Sequence, residues 1–145
     1  MSCIAWDGEM LAADKQASVG GLARTTTKIK QIRNFLVGYA GEAVQGEEMV
    51  AWLSKGAKPN TFPEAQRDKD DWVAMLVIRP GVIIQIYERS PYPMVLEDKT
   101  MAIGSGRDFA LTAMFLGKRA DEAVRIACHF DKGCGLGVDV LRMRK

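Results

Sequence analysis

Residues Met1-Ser2-Cys3-Ile4-Ala5-Trp6-Asp7-Gly8-Glu9-Met10-Leu11-Ala12-Ala13-Asp14 open the chain with two apolar runs, residues 3–6 and 10–13, on either side of Asp7-Gly8. An Asp-Gly pair suits the two positive φ angles of a type I′ turn, so the stretch predicts a β-hairpin and starts the chain inside a sheet. With a strict two-residue turn, Trp6 pairs with Glu9 and Ser2 with Ala13. That register sets Asp14 on the face opposite Ser2 unless a bulge intervenes.

Outward from this hairpin, residues 19–24 read as a Gly-containing loop, and 25–32 and 35–39 as two β-rich runs joined at Arg33-Asn34. Residues 42–53 place Ala43, Met49, Val50 and Leu53 on one helical face, with Gly56 and Pro59 as terminators. Residues 59–71 are polar and fit either a short helix or a loop. Four short apolar runs follow, at 72–78, 82–87, 94–97 and 100–103, broken by Pro80-Gly81, Pro91 and Pro93; they read as a meander forming a second sheet. Residues 108–116 and 121–130 have helical spacing around a break at Gly117, with Ala123, Val124 and Ala127 on one stripe. Gly133, Gly135 and Gly137 turn the chain into a last strand, 138–143. Helices covering antiparallel sheets make an α+β domain.

Composition bounds the function. With 145 residues, 48% of them hydrophobic, the chain suits a single domain over 1–145. Twenty basic residues against 18 acidic ones leave a net charge of +2, too small a field to draw in nucleic acid or anionic lipid. The basic tail, Arg142, Arg144 and Lys145, reads as a solvated chain end. No run approaches the about 18 apolar residues of a membrane span, and no signal segment opens the chain, so a cytoplasmic protein is expected. Three cysteines, Cys3, Cys128 and Cys134, without C-x-x-C spacing argue against a disulfide framework or a zinc site; no metal or cofactor is called for. Cys128 reads as core packing on its helix.

Several local stretches, taken in order, resemble the proteasome β-type, HslV-like family of N-terminal nucleophile hydrolases, in a short bacterial or phage form. Met1-Ser2-Cys3-Ile4-Ala5 resembles the start of a mature β subunit, which puts Ser2 in the nucleophile's place once Met1 is removed. Leu11-Ala12-Ala13-Asp14 resembles the second strand with its aspartate, Asp14. Thr27-Lys28-Ile29 resembles the strand of the catalytic lysine, and Val37-Gly38-Tyr39-Ala40-Gly41 the strand and turn whose glycine N–H forms the oxyanion hole. Spacing to Gly41 favours Lys28, whereas ungapped counting from Asp14 favours Lys30; Lys28 is preferred. Ala102-Ile103-Gly104-Ser105-Gly106 resembles the family's G-S-G segment, and Asp131-Lys132-Gly133-Cys134-Gly135 its D-x-x-S-G turn, with Cys134 replacing the serine. Gln16 stands where the family commonly has arginine. Tyr39, Ala43 and Lys30 fall near the family's side-chain pocket.

The resemblance implies a four-layer αββα sandwich of antiparallel sheets and a threonine/serine-type peptidase. Its substrate is a peptide or unfolded protein, its assembly a homo-oligomeric ring, and its further partner an ATPase unfoldase. The implied site is Ser2, Asp14, Lys28, Gly41, Ser105, Asp131 and Cys134. A serine hydroxyl needs a base, which a free N-terminal amine supplies, its reference pKa of about 7.7–8.0 leaving a neutral fraction near pH 7. Serine is small enough for ordinary methionine removal, and no longer propeptide is expected.

Other readings carry different chemistry. Ser105 alone fits a helix cap. Gly104-Ser105-Gly106 before a helix could hold an anion, but lacks the Lys-Ser/Thr of a phosphate loop. Gly133 to Gly137 stand between helix and strand in the reverse order of a dinucleotide fingerprint. His129, Asp131 and Cys134 suggest a cysteine hydrolase, yet three residues so close in sequence seldom meet as such a triad, and His129 reads as structural or surface. A catalytically inactive structural or binding protein, or an amidase acting on a non-peptide amide, are the alternatives to a peptidase.

Overall fold

In a computed structural model describing residues 2–67 and 72–143, the opening hairpin forms from β1 (Ile4–Trp6) and β2 (Met10–Asp14), but its turn is not the one the Asp-Gly pair predicts. Trp6 faces Leu11 and Ile4 faces Ala13. Asp7 Oδ1 accepts the N–H groups of Glu9 (2.8 Å) and Met10 (2.9 Å), and Oδ2 accepts that of Ala120 (2.8 Å). Such side-chain acceptance stabilises a wider loop in which Gly8 alone of the pair takes a positive φ, of 104°. The register moves by two residues, which leaves the side chains of the paired residues 4–6 and 11–13 on their predicted faces.

A second difference follows at once. The expected loop around residues 19–24 is a hairpin, β3 (Gln16–Val19) and β4 (Leu22–Thr25), turning through Gly20 and Gly21 with φ of 56° and 83°. Two positive φ angles are the requirement of a two-residue turn, and Gly-Gly meets it. The next hairpin, β5 (Ile29–Ile32) and β6 (Phe35–Ala40), turns at Arg33-Asn34 as read, with Ile32 opposite Phe35.

Helix α1 (Ala43–Ser54) begins at Glu42, whose carboxylate accepts the N–H groups of Val44 and Gln45. Gly46 looks like a helix weakener, but a Cβ there would stand 2.3 Å from Tyr39 Cδ1, so the glycine lets the helix seat on the Tyr39 ring. The polar stretch beyond holds two short 3-10 turns, Pro59–Thr61 and Glu64–Arg67. Its end at 68–71 lies outside the described residues, as do Met1 and the tail residues Arg144 and Lys145.

The expected four-strand second sheet is corrected in both directions. Strands β7 (Ala74–Arg79), β8 (Ile83–Glu88) and β9 (Met94–Leu96) join β5 and β6 in a five-stranded antiparallel sheet, ordered β5-β6-β7-β8-β9. Strand β10 (Met101–Ile103) leaves it and pairs with β1, Ile4 opposite Ile103. Helices α2 (Arg107–Phe115) and α3 (Ala120–Phe130) follow, and β11 (Val138–Arg142) returns beside β2. The first sheet is therefore β10-β1-β2-β11.

Three apolar seams separate four layers, the predicted αββα sandwich. Between α2/α3 and the first sheet lie Cys3, Ala5, Ala12, Ala110, Ala123 and Ala127, small side chains that allow close approach of helix to sheet. Between the sheets lie Ile4, Trp6, Leu11, Leu36, Leu76 and Ile78. Val37, Tyr39 and Met75 meet Met49, Trp52 and Leu53 of α1 in the third seam. Successive strand residues thus enter different seams, and both faces are buried, which explains continuous apolar runs in place of polar alternation. Among the described residues no helix is long and apolar enough to cross a membrane.

Candidate active site

At the open end of the first hairpin the strand ladder gives way to side-chain chemistry. Asp14 N–H donates to Cys3 O at 3.1 Å, but Cys3 N–H donates to Asp14 Oδ1, at 3.0 Å. The carboxylate so fixed also accepts Lys28 Nζ on Oδ1 (2.9 Å), and the N–H groups of Gln16 (3.1 Å) and Gly135 (3.0 Å) on Oδ2. Asp14 is fully buried and Lys28 nearly so. A buried pair of this kind survives only when its remaining polar atoms are bonded, and here the backbone does that.

Lys28, just ahead of β5, sends the same Nζ to Ser2 Oγ at 3.1 Å. Ser2 is 2% exposed, yet it lines two cavities of about 640 and 630 Å³. The alternative lysine, Lys30, instead pairs with Glu47 at the surface and lines neither cavity. Glu47 also accepts Tyr39 OH at 3.2 Å; burial first, and then this carboxylate, push the phenol's pKa up. Tyr39 and Ala43 line the second cavity; of the three pocket residues suggested by sequence, Lys30 is the one displaced.

The Gly104-Ser105-Gly106 segment explains itself by contact. Gly104 has a φ of 96°, and a Cβ on it would fall 2.1 Å from the Ser2 carbonyl oxygen. Gly106 N–H donates to that oxygen at 3.1 Å. Ser105 does not cap α2, whose N-cap is Gly106 without a side-chain bond. Its hydroxyl donates to Asp131, and this bond is the largest cause holding the Asp131 carboxyl below its ordinary pKa of 3.8, against the desolvation that raises it. Gly133 N–H (2.8 Å) and the Cys134 thiol (3.5 Å) also donate to Asp131.

Two bonded groups result: Ser2, Lys28 and Asp14, and Ser105, Asp131 and Cys134. The turn after α3 connects them, since Gly133 supports Asp131 while Gly135 supports Asp14. Gln16 secures that turn, its Nε2 donating to Lys132 O at 3.1 Å. Gly41 follows β6 with a φ of 130°, where a Cβ would stand 2.7 Å from Val73 Cγ1, and it lines both cavities beside Ser2. Trp72, which also lines both, carries no sequence signal beyond its apolar run. The backbone donors of Cys3, Gln16 and Gly135 escape sequence reading because they depend on register and not on residue type.

The His129–Asp131–Cys134 alternative does not assemble. His129 is exposed, with its ring edge-on to Phe130 at 4.9 Å. Cys134 is buried, and its thiol is pushed up by the hydrogen bond with Cys128 and then by burial, the opposite of an activated nucleophile. Among the described residues no group of three or more His, Cys, Asp or Glu side chains could hold a metal ion.

No family model matches the sequence, and no curated protein does. Solved structures do match over the whole chain. BPH from Thiobacillus denitrificans in complex with epoxomicin superposes with a TM-score of 0.73 at 18% identity, covering 100% of both chains. The BPH structure described without epoxomicin gives 0.72 at 20% identity, covering 99% of this chain and 98% of that one. HslV from Trypanosoma brucei gives 0.67 at 20%, covering 97% of each. At these identities the likeness establishes architecture alone: the chain has the α+β fold of these BPH and HslV structures.

Proposed function

We propose that the chain is a single-domain, serine-type peptidase whose nucleophile is Ser2, made N-terminal by loss of Met1. The observation that carries this reading is one ammonium, Lys28 Nζ, 3.1 Å from Ser2 Oγ and 2.9 Å from Asp14 Oδ1. A cation so placed polarises the hydroxyl and lowers the pKa of an amine beside it, which favours the neutral base.

The chemistry then runs in two halves. The Ser2 α-amine takes the hydroxyl proton as Oγ attacks the peptide carbonyl. The oxyanion is met by the Gly41 N–H, in a position where only glycine fits. The amine's proton passes to the leaving nitrogen, the C–N bond breaks, and an ester on Ser2 remains. Water gives a proton to the amine and its hydroxide to the ester carbonyl, which releases the acid and restores Ser2. Ser105 and Asp131, with Cys134 in the serine's usual place, orient the amine. The two cavities meeting at Ser2 offer room for the chain on either side of the scissile bond.

The fold likeness further supports a homo-oligomeric ring in the cytoplasm acting on peptides or unfolded proteins, fed by an ATPase unfoldase. The test is Ser2→Ala: hydrolysis of an unstructured peptide is lost while particle size by light scattering is kept. Epoxomicin, which the Thiobacillus protein binds, attaches to the wild type and not to this variant. Hydrolysis persisting in Ser2→Ala removes Ser2 from the mechanism. A wild type that neither cleaves nor labels leaves the inactive structural protein, and cleavage of non-peptide amides alone leaves the amidase.

A further inference from the structure

The β1–β2 hairpin carries Ser2 at its open end and the Asp7-Gly8-Glu9 turn at its closed end, about 17 Å away at 3.3 Å per strand residue. Beside that turn lies a cavity of about 570 Å³ that shares no residue with the two cavities at Ser2. Its walls are Val82 and Ile83 from the β7–β8 turn, Val95 and Leu96 of β9, and the segment Glu97-Asp98-Lys99. Val82 has a φ of 62°, a conformation that strains a β-branched residue, and burial does not offset the strain, because the side chain is 48% exposed.

The adjoining strand edge and the charges give this cavity its chemistry. Among the described residues β9 pairs with β8 alone, so its outer edge presents unpaired backbone N–H and C=O groups. Met94 (66%) and Val95 (58%) stand exposed on that strand, and no charge interrupts residues 94–96. The acids come directly after. Four acidic side chains, Asp7, Glu9, Glu97 and Asp98, line the cavity against one base, Lys99, a local charge of −3 on a chain whose net charge is +2. Asp7 is held by three backbone N–H groups and Glu9 lies 3.9 Å from Arg142, whereas Glu97 and Asp98 have no ion pair among the described residues. Beyond Glu9 a second hollow leads to Lys118 and Arg119, where the sign reverses.

We propose that this face binds an extended segment of another protein in which a short basic stretch adjoins aliphatic residues. The segment adds to β9 as a further antiparallel strand, continuing the pairing of the whole sheet. Its backbone takes the free edge, an aliphatic side chain enters between Val82, Ile83, Val95 and Leu96, and its cations meet Glu97 and Asp98. Antiparallel pairing places the basic residues ahead of the aliphatic ones, because the acids follow β9. The sign change at Lys118 keeps the basic stretch short.

The test uses the Ser2→Ala chain, so that no probe is cleaved, and a capped, fluorescein-labelled peptide, Lys-Lys-Val-Thr-Val-Gly. Fluorescence anisotropy measures binding and amide hydrogen exchange locates it. The expected result is saturable binding that weakens with added salt, with exchange slowed at residues 94–96. Glu97→Lys combined with Asp98→Lys weakens binding by about tenfold, the effect of two reversed rim charges, and the double variant gains affinity for Glu-Glu-Val-Thr-Val-Gly. A probe that does not bind, that binds the double variant equally well, or that slows exchange at residues 16–19 instead of 94–96 overturns the proposal. So does Val95→Glu if it splits the particle into smaller ones by light scattering, since a second copy of this chain would then be the occupant. None of these readouts depends on hydrolysis, so the binding face and the peptidase reading fail separately.

Discussion

Asp14 receives the Cys3 N–H on its carboxylate at 3.0 Å while its own N–H donates to the Cys3 carbonyl at 3.1 Å. One side-chain oxygen thus accepts the strand N–H that a backbone carbonyl would otherwise take. Lys28, arriving from the second sheet, reaches that oxygen at 2.9 Å and Ser2 Oγ at 3.1 Å. The sheet-end geometry makes one ammonium common to two residues that simple alternation sets on opposite faces.

Replacing Asp14 with Asn leaves the Lys28 ammonium buried beside a neutral amide. Breaking a buried pair costs about 3–5 kcal/mol, to be seen as a lowered denaturant midpoint. Lys28→Met in the same chain recovers part of that loss, because the orphaned charge is gone, without recovering hydrolysis. Lys30→Met, which removes only an exposed pair with Glu47, changes stability by about 0–1 kcal/mol. If Asp14→Asn unfolds no more easily than the wild type, the pair does not hold this end of the hairpin together.

Gly104→Ala separates contact from backbone strain. Its Cβ meets the Ser2 carbonyl at 2.1 Å, whereas Gly117, with an equally positive φ of 95°, has open space around it. Gly117→Ala should cost about 1–3 kcal/mol from φ alone. Gly104→Ala costs more in chemical unfolding and also displaces Ser2, so hydrolysis fails in whatever fraction folds. Equal losses in the two variants would contradict the close approach.

Ser105→Ala should alter acid sensitivity. The Asp131 carboxyl has its folded pKa below the ordinary 3.8, first through the Ser105 hydroxyl. A depressed folded pKa contributes stability above the unfolded value that is lost as pH falls through the folded one. Unfolding free energy of the wild type therefore drops as pH is lowered from about 5 through 3.8 and beyond, and Ser105→Ala flattens that slope, with a loss near neutrality of about 1 kcal/mol. An unchanged slope would show that Ser105 does not bond the ionised carboxylate.

Much of this was legible in residue order. Runs buried on both faces marked the strands, Arg33-Asn34 marked a turn, and Ala123, Val124 and Ala127 marked the inner stripe of α3. What escaped was set by interactions outside the local pattern. The Asp7 carboxylate widened a turn that Asp-Gly alone would have kept tight. The β3–β4 hairpin stands largely in solvent, so it has no burial pattern to read. Strand β10 looks like one more member of a meander, and only its pairing with β1 assigns it to the other sheet. At the site, Lys28 was favoured over Lys30 by spacing, whereas the face assigned to Asp14 was sound for a regular ladder and misleading at a sheet end. Cys128, read as packing, does pack against the seam between α2/α3 and the first sheet.

The central claim is that Ser2 carries the acyl group, and covalent capture tests it most directly. The purified chain is incubated with a tripeptide epoxyketone, digested, and its peptides are sequenced by mass spectrometry. The account predicts a chain lacking Met1 with one adduct, on Ser2, absent from Lys28→Met. A chain that retains Met1 and yet cleaves peptides, or an adduct on any residue other than Ser2, would contradict it.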